Sequence, residues 1–531
     1  MNKCGVISLV LNAHTPFVRH PEQPQCPEER WFFESLSETY LPLLQVFDRL
    51  DADHIPFRIG ISLSPILCHL LSDELLLTRY LEYMDKRIEF GRQELERTAG
   101  EPELQGLARF FYDQLVDRRI TFTERYGRNV LKIFEHYQKK GRVEILTTAA
   151  THGFLPLYTA YPEAVQAQLE VAIASYRYHF GRHPQGFWLP ELGWSAGLEK
   201  YLHAYNFGYT LLDTHGLVFS EPHAVKGSFY PVKTPLGLLI LARDYYALGA
   251  ITHKDHGFTR DRVYREYYED AGYELPPELI RSFLGFRGSR TPTGYKYRAS
   301  RGSGAQGPVY DPQRAAEKAA EQARFFLNGR IQSLKAAGAF MDEPALSLCA
   351  CDADTFGRFW YEGCLFLEAL FREGAKRKEL QFMTPAEYLY KQDVVSFQTV
   401  VPEFSSWGIN GYAEMWLDSS NDWMYRHAIR SLERMIELAE RFPDDSGLKE
   451  RALNQAAREL LLALSSDWSK MLYKQESAEY ARNQIEGSLR NFTTIYEALG
   501  SNYISTEWLT GLEKRHNLFP AINYRVFRRK K

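Results

Sequence analysis

Short hydrophobic segments recur along the chain, and most of them end in a polar or charged residue. Each is four to seven residues long, which is typical of strands, since helices of globular proteins are usually longer. Helical periodicities lie between them, and buried strands that alternate with helices indicate a parallel α/β sheet. The segments that we interpret as strands are Gly5–Leu11, Phe57–Ile61, Val143–Leu146, Gly186–Leu189, Tyr209–Leu212, Leu238–Leu241, Ala345–Cys351 and Leu380–Met383.

Polar side chains follow several of these strands directly. In a (β/α) barrel the carboxyl ends of the parallel strands form one face, and that face carries the chemistry. We therefore predict an irregular (β/α) barrel of seven or eight strands. A helix cap or a turn would explain any single one of these residues, but their recurrence favours a shared site. The residues are His14, Ser62, Ser64, Thr147, Thr148, His152, Glu191, Asp213, His215, Arg243, Asp244 and Asp352.

Two long interruptions and one change of pattern divide the chain. Between residues 65 and 140, hydrophobic residues recur at spacings of three and four, which predicts a helical insertion. A second interruption, from about residue 252 to 337, is long enough to form a rim or lid. We therefore predict a barrel from residues 1–64 and 141–401, the insertion from 65–140, and a C-terminal helical domain from 402–531.

Local patterns predict details within these regions. Thr384-Pro385-Ala386-Glu387 is a capping box with proline at the first helical position. The glycine-rich stretch Gly302–Pro308 predicts a loop, with a helix from about Pro312. The stretch Ser405–Trp416 holds two tryptophans and a tyrosine between glycines and polar residues. We interpret it as a binding loop that the helical domain presents to the barrel.

Composition and charge narrow the class of protein. The net charge of −3 over 531 residues gives no basic surface for nucleic acid or an anionic membrane. The hydrophobic runs fall short of the roughly 20 residues that span a bilayer. The start is interpreted as a strand and not as a signal peptide, and the six cysteines follow no zinc spacing. We expect a cytoplasmic protein with free thiols, for which a monomer is compatible with the sequence.

Glu191 and Asp352 are candidate partner carboxylates. Glycosyl transfer needs one carboxylate to attack the anomeric carbon and a second carboxyl group to protonate the departing oxygen. Glu191 lies between Trp188 and Trp194 at the end of an apolar strand, where desolvation can separate the two roles. For a retaining reaction the two carboxyl groups should face each other about 5–5.5 Å apart. A structural role, in which each carboxylate bonds to backbone donors, stays open at this point.

Histidines and tryptophans supply two further groups of candidates. His14, His152 and His215 each follow a strand but lack the short paired spacing of a metal motif, so substrate binding is favoured over a metal site. Tryptophan rings stack on the C–H faces of sugars, although core packing is the usual role of the residue. We expect core packing for Trp423, within its helix, and sugar contacts for Trp407 and Trp416, which lie in the unusual loop.

Eight short motifs follow one another along almost the whole chain, and their order is informative. The segments are Asn12–Pro16, Gly141–Leu157, Trp188–Glu191, Asp352–Gly357, Ser406–Gly408, Asn421–Trp423, Ser465–Trp468 and Phe519–Val526. Together they resemble the motifs of glycoside hydrolase family 57, most of all its 1,4-α-glucan branching enzymes and their α-amylase-like relatives. The resemblance implies an incomplete, seven-stranded (β/α) barrel with a helical insertion and a C-terminal helical domain.

The resemblance also implies roles for individual residues. Glu191 matches the nucleophile and Asp352 the general acid/base of a retaining mechanism without metal or cofactor. The expected substrate is an α-glucan such as amylose or glycogen. The substrate-binding residues that we predict are His14, His152, Trp188, Asp213, His215, Arg243, Trp360, Trp407, Trp416 and Asp467.

The chain departs from the family pattern around the expected site. Asn12 stands where a second histidine is usual, Leu192 where cysteine is common, and Ile409 where glutamate is usual. Arg358 replaces a histidine, and a tryptophan expected near Thr252 is absent. These changes leave both carboxylates in place but alter the surroundings that select the acceptor.

The leading hypothesis is therefore a retaining branching enzyme, which cleaves α-1,4 bonds and forms α-1,6 branches. An α-amylase or a 4-α-glucanotransferase of the same family would use the same two carboxylates with another acceptor. A glucan-binding relative with weak activity is a further alternative, suggested by the altered surroundings. A metal-dependent deacetylase on a similar barrel is the fourth.

Overall fold

The computed structural model of the protein describes residues 5–24, 26–285, 288–301 and 307–530. A central sheet forms from every segment that the hydrophobic pattern predicts as a strand, and one two-residue strand, β6, joins it at an edge. The strands are β1 (Gly5–Ala13), β2 (Ile59–Leu63), β3 (Val143–Thr148), β4 (Gly186–Trp188), β5 (Tyr209–Leu212), β6 (Val232–Lys233), β7 (Leu239–Ala242), β8 (Leu346–Asp352) and β9 (Leu380–Phe382).

Seven of these strands form a continuous parallel sheet in the order β7-β5-β4-β3-β2-β1-β8. The antiparallel β6 extends it beside β7, and β9 pairs with the start of β1. The sheet curls until its two ends meet. The backbone N–H of Asp244, just after β7, donates to Leu348 O of β8 at 2.8 Å and so joins the two ends. The expected irregular seven-stranded barrel is confirmed.

Burial explains why these segments are so apolar. Every residue of β1 is buried, as are six of the seven residues of β8. Parallel strands of this kind are covered on both faces, so neither face needs a polar side chain. Polar groups are therefore concentrated where the strands end.

Helices cover the sheet and continue beyond it. Several begin as the sequence predicts: Thr384 Oγ1 accepts the N–H of Glu387 at 3.2 Å, and the long helix after the glycine-rich loop begins at Pro312. Of that loop, residues 302–306 lie outside the described residues. The α-helices are α1 (Glu29–Ser35), α2 (Leu41–Ala52), α3 (Pro65–Leu70), α4 (Glu74–Arg97), α5 (Pro102–Ile120), α6 (Val130–Lys139), α7 (Pro162–Phe180), α8 (Leu198–Ala204), α9 (Thr214–Val218), α10 (Tyr245–Thr252), α11 (Ala271–Glu274), α12 (Pro312–Gly338), α13 (Gly363–Gly374), α14 (Pro385–Tyr390), α15 (Asp422–Arg441), α16 (Gly447–Ala463), α17 (Ser466–Lys474), α18 (Ala478–Gly500) and α19 (Thr506–Arg515).

The helical stretches agree with the predicted periodicities. Helices α3–α6 lie between β2 and β3, and α4 buries Leu77, Met84 and Ile88 from its predicted stripe. Helix α15 buries the apolar residues that recur along it at spacings of three and four, which are Met424, Ala428, Leu432, Met435 and Leu438. None of the described helices is both long enough and apolar enough to cross a membrane.

The loop after β3 connects the sheet to the C-terminal helices. Thr151 Oγ1 donates to Leu461 O at 2.5 Å, and Gly153 forms a β-bridge with Ser465. The N–H of Ser466 donates to His152 O at 3.2 Å. These bonds hold the first turn of α17 against the carboxyl end of the sheet.

Candidate active site

A cavity of about 440 Å³ lies between the carboxyl ends of the strands and α17. Strands β1 and β8, the loops after β3 and β4, the loop before α15, and α17 all contribute side chains. Six of the twelve residues predicted for the site line this cavity: His14, His152, Glu191, Asp352, Trp407 and Asp467.

The carboxylate of Glu191 is held at both oxygens. Oε1 accepts the hydroxyl of Ser466 at 2.9 Å, and Oε2 accepts the indole N–H of Trp407 at 2.5 Å. Glu191 is 2% exposed. Burial raises the pKa of this carboxyl group, while the charge of Lys470 and the bond from Trp407 act to lower it.

The backbone at Glu191 is in the left-handed region, with φ 58° and ψ 18°, and Leu192 follows with φ 51°. Such angles cost side-chain-bearing residues on the order of 1–3 kcal/mol each and concentrate at functional sites. The backbone N–H of Trp407 donates to Glu191 O at 2.9 Å and so stabilises the turn. The turn ends β4 abruptly and directs the carboxylate into the cavity.

Asp352 ends β8 and lies opposite Asn12 of β1. The two residues are register partners in the parallel sheet, and Asn12 Nδ2 donates to Asp352 Oδ1 at 3.2 Å. Nearby, Asp354 accepts the hydroxyl of Ser35 at 2.7 Å and lies 3.7 Å from Arg358. Burial raises the pKa of Asp354.

Two histidine rings form one wall of the cavity. His14 and His152 stack with centroids 4.1 Å apart and planes 9° apart. His14 Nε2 lies 2.9 Å from Asp467 Oδ2, and its Nδ1 lies 2.9 Å from Ser64 Oγ. Burial alone would raise the pKa of Asp467, but His14 and the hydrogen bond from the hydroxyl of Ser465 outweigh it and lower the value to about 2.

Hydrogen bonds fix the tautomer of His152. Because Ser466 Oγ donates to Glu191, it accepts the bond from His152 Nδ1, which lies 3.1 Å away. Burial lowers the pKa of His152 well below its usual value, so the ring is neutral and Nε2 carries a lone pair. Within the described residues this buried Nε2 has no hydrogen-bond partner.

Arg243, Asp213 and His215 lie behind the cavity. Arg243 pairs with Asp213, and its guanidinium lies 5.7 Å from the centroid of the Trp407 ring. His215 Nε2 lies 2.7 Å from Gly411 O, in the stretch Ser405–Trp416, which we call the aromatic loop. These three predicted substrate-binding residues support the loop that carries Trp407, and they are absent from the described lining of the cavity.

The structure corrects the predictions for Trp188, Trp360 and Trp416, which are all at most 2% exposed. Trp188 meets Trp407 edge to face at 5.6 Å, and Trp416 stacks on Phe154 at 5.3 Å. Trp360 packs among aromatic rings within the core. A ring without a free face offers no stacking surface to a sugar. These rings support the site from within.

Sequence reasoning missed several residues of the site. Lys470 lies three positions after Asp467 on α17 and lines the cavity, so helical spacing from Asp467 was a signal for it. Ser466 is not among the described residues of the lining, but it bonds to Glu191 from the same helix. Trp31 of α1 and Tyr267 also line the cavity, but no strand end or motif marks them.

The departures from the family pattern occupy different places. Asn12 and Arg358 line the cavity, and Arg358 bonds to Glu34 at 3.1 Å. Leu192 is fully buried, whereas Ile409 is 47% exposed on the aromatic loop. Across the described residues, no group of three or more histidine, cysteine, aspartate or glutamate side chains is arranged to hold a metal ion.

Two family models match the chain. One, described as glycosyl hydrolase family 57, matches residues 8–398. The other, described as 1,4-alpha-glucan branching enzyme, C-terminal, matches residues 427–527.

Individual relatives cover nearly all of the chain. The 1,4-alpha-glucan branching enzyme TK1436 of Thermococcus kodakarensis is 26% identical over 98% of this chain and 78% of its own length. The crystal structure of the alpha-amylase AmyC from Thermotoga maritima is 36% identical with a TM-score of 0.93, covering 99% of this chain and 100% of that one. The GH57-type branching enzyme from Pyrococcus horikoshii is 26% identical with a TM-score of 0.89, covering 99% and 97%.

Proposed function

The chain belongs to glycosyl hydrolase family 57, and from that membership we propose that it is a retaining 1,4-α-glucan branching enzyme. It cleaves an α-1,4-glucosidic bond and transfers the released chain to a 6-hydroxyl group, which makes an α-1,6 branch. The match of residues 427–527 to the C-terminal model of branching enzymes favours branching over other reactions of the family. That region includes α17, whose Ser466 bonds to Glu191.

In the first step, Glu191 attacks C1 of a glucose unit and Asp352 protonates the oxygen of the leaving chain. The bonds from Ser466 and Trp407 hold both oxygens of Glu191, which orients the attack. Asn12 orients Asp352 in the same way. The required separation of the two carboxyl groups, about 5–5.5 Å, remains a prediction.

In the second step, Asp352 removes the proton of the acceptor 6-hydroxyl group, and the acceptor oxygen displaces Glu191 from C1. The sugar between the two carboxylates contacts His152 and the pair formed by His14 and Asp467, which line the cavity. Trp407 closes the site beside Glu191 and limits the entry of water. If water enters, the same step becomes hydrolysis.

Hydrolysis is the second candidate function. The 36% identity to the alpha-amylase AmyC favours it, since that identity exceeds those of the two branching enzymes above. An α-amylase and a branching enzyme share both carboxylates and differ in the acceptor. The residues around the acceptor therefore decide between the two.

An assay on amylose separates the candidates. Branches are counted by debranching the product and measuring the chain lengths released, and hydrolysis is counted from new reducing ends. A branching enzyme forms α-1,6 linkages in excess of reducing ends, whereas an amylase forms reducing ends alone. Glu191→Gln serves as the inactive control. If the wild-type protein gives neither product, the proposed function is wrong.

The remaining parts of the proposal concern organisation and location. The partner is an α-glucan, and the reaction uses only side chains of this protein. The catalytic unit comprises residues 1–64 and 141–401, and 402–531 supply the aromatic loop and α17. A cytoplasmic location is supported by the five described cysteines, all of them buried and unpaired. A monomer suffices for this site, because one chain supplies every side chain named above.

A further inference from the structure

The carboxylates in the cavity differ in their hydrogen-bond and ion-pair partners. Asp467 bonds to His14, and Asp354 lies 3.7 Å from Arg358. The hydrogen bonds to Glu191 come from an indole and a hydroxyl group, and the bond to Asp352 comes from the amide of Asn12, all of them neutral. Both proposed reacting carboxylates are thus held by donors that carry no charge.

Among the described residues, three cations line the cavity: Arg358 pairs with Asp354 and Glu34, Lys474 is exposed, and Lys470 is placed beside the two reacting carboxylates. Lys470 lies on α17, one turn after Ser466, on the same face of the helix. Its side chain lines the cavity together with Glu191 and Asp352. It is partly shielded from solvent, whereas Lys474, one turn further along, is exposed. Shielding keeps the field of a charge strong, because less water screens it.

The other titratable groups that face Glu191 do not supply this charge. Asp352 at the end of β8 and Asp467 of α17 are acidic and disfavour its ionised form. His152 is neutral, as shown above, and burial raises the pKa of Tyr425 of α15 to a value at which its hydroxyl is neutral too. His14, stacked on His152, bonds to Asp467.

We propose that Lys470 is a positioning residue that keeps Glu191 ionised for attack on C1. The ammonium group acts through its charge and offsets both the burial of Glu191 and the two acidic neighbours. The inference rests on the proposed function and adds a residue to it.

The electrostatic balance supports this role from both sides. Burial raises the pKa of Glu191, and Lys470 is the strongest influence that opposes it. Burial would lower the pKa of Lys470, but Glu191 and Asp352 outweigh burial and raise it. Without the lysine charge, Glu191 holds its proton to a higher pH. Since only the ionised form attacks, the acid limb of the pH profile must then move to higher pH.

The test compares pH profiles of kcat/KM on a maltooligosaccharide for the wild-type protein, Lys470→Met and Lys470→Arg. Neutralisation should cost roughly tenfold more activity at pH 5 than at pH 7.5, the effect of moving a limiting pKa by one unit. Lys470→Arg keeps the charge and should keep the wild-type acid limb. Lys132→Met removes an exposed charge that is absent from the described lining of the cavity and should leave the acid limb in place.

Other outcomes overturn the proposal. An equal loss at every pH for Lys470→Met, or an altered limb in Lys470→Arg, shows that the lysine charge does not set the ionisation of Glu191. A change confined to KM shows a contact with the sugar instead. Lys470→Gln repeats the neutralisation with a polar side chain if the methionine variant unfolds. An inactive wild-type protein contradicts the proposed function itself and is recognised before any variant is compared.

Discussion

Asn12 and Asp352 are register partners on adjacent parallel strands, and the amide of Asn12 donates to Asp352 Oδ1 at 3.2 Å. The bond joins the ends of β1 and β8, where the barrel carries its proposed general acid. An amide holds one fixed pattern of hydrogen bonds over the working pH range, whereas the histidine usual in the family titrates within it. The chain therefore orients Asp352 with a group whose charge does not change.

Removal of this amide should lower turnover more than binding. In Asn12→Ala, Asp352 loses its orienting donor, so kcat should fall roughly tenfold to a hundredfold while KM changes little. The free energy of unfolding should fall by about 1 kcal/mol, the usual contribution of one hydrogen bond. Ser8→Ala, on the same buried strand, is the control and should keep kcat. An unchanged kcat in Asn12→Ala would contradict the orienting role.

Glu191→Gln should abolish turnover of amylose and leave the fold intact. The amide retains the shape of the carboxylate but cannot form a glycosyl ester, so kcat should fall by roughly a thousandfold or more. Circular dichroism and the thermal unfolding midpoint check that the fold survives. Persistent turnover in a folded variant would show that another residue is the nucleophile.

Ser466→Ala breaks the chain of hydrogen bonds from His152 to Glu191. Glu191 Oε1 then loses its only donor among the described side chains, and the ring of His152 is no longer fixed in one tautomer. We expect kcat to fall roughly tenfold to a hundredfold. Ser469→Ala removes a buried hydroxyl group from the same helix, whose bond goes to Ser466 O at 3.0 Å. Equal losses in both variants would show that the effect belongs to the helix and not to Glu191.

The strands and their carboxyl-terminal polar residues were predictable because both are local signals. Four to seven apolar residues set the strand, and the first polar residue after it marks the face of the barrel. This reasoning found His14, His152, Glu191 and Asp352, which line one cavity. Their distances were not predictable, since these depend on how far the sheet curls.

The missed and corrected residues have a common physical origin. Ser466 is 275 positions from Glu191 in the chain, and their contact depends on how the C-terminal helices dock on the loop after β3. Trp188 and Trp407 look alike in sequence, because one indole serves equally as core and as a platform for a sugar. Only packing shows that the first ring is enclosed and the second lines the cavity.

The pair of His14 and Asp467 should contribute stability that depends on pH. The folded-state pKa of Asp467 is lowered to about 2, so its contribution is complete above the unfolded value near 4 and is lost as pH falls towards 2. Asp467→Asn should therefore remove on the order of 2 kcal/mol of unfolding free energy at pH 6, and less at pH 2.5.

Urea unfolding of both proteins across this pH range measures the difference. Asp85→Asn is the control, because Asp85 is exposed and pairs with Arg119 at the surface. Exposed pairs contribute about 0–1 kcal/mol. A constant difference between Asp467→Asn and the wild-type protein over the whole range would contradict the pKa assigned to Asp467.

Gly411 should control the partition between transfer and hydrolysis. Its φ is +82°, and a Cβ there would lie 2.7 Å from the ring of His215, so Gly411→Ala strains the backbone and displaces the loop that carries Trp407. Displacement admits water beside Glu191, and the ratio of α-1,6 branches to reducing ends formed from amylose should fall several-fold. Gly197→Ala is a matched control, because Gly197 has φ +88° but open space around it. Backbone strain without displacement of the loop should leave the ratio unchanged. If both variants lower it equally, the strain and not the contact with His215 is responsible, and the loop loses its assigned role in excluding water.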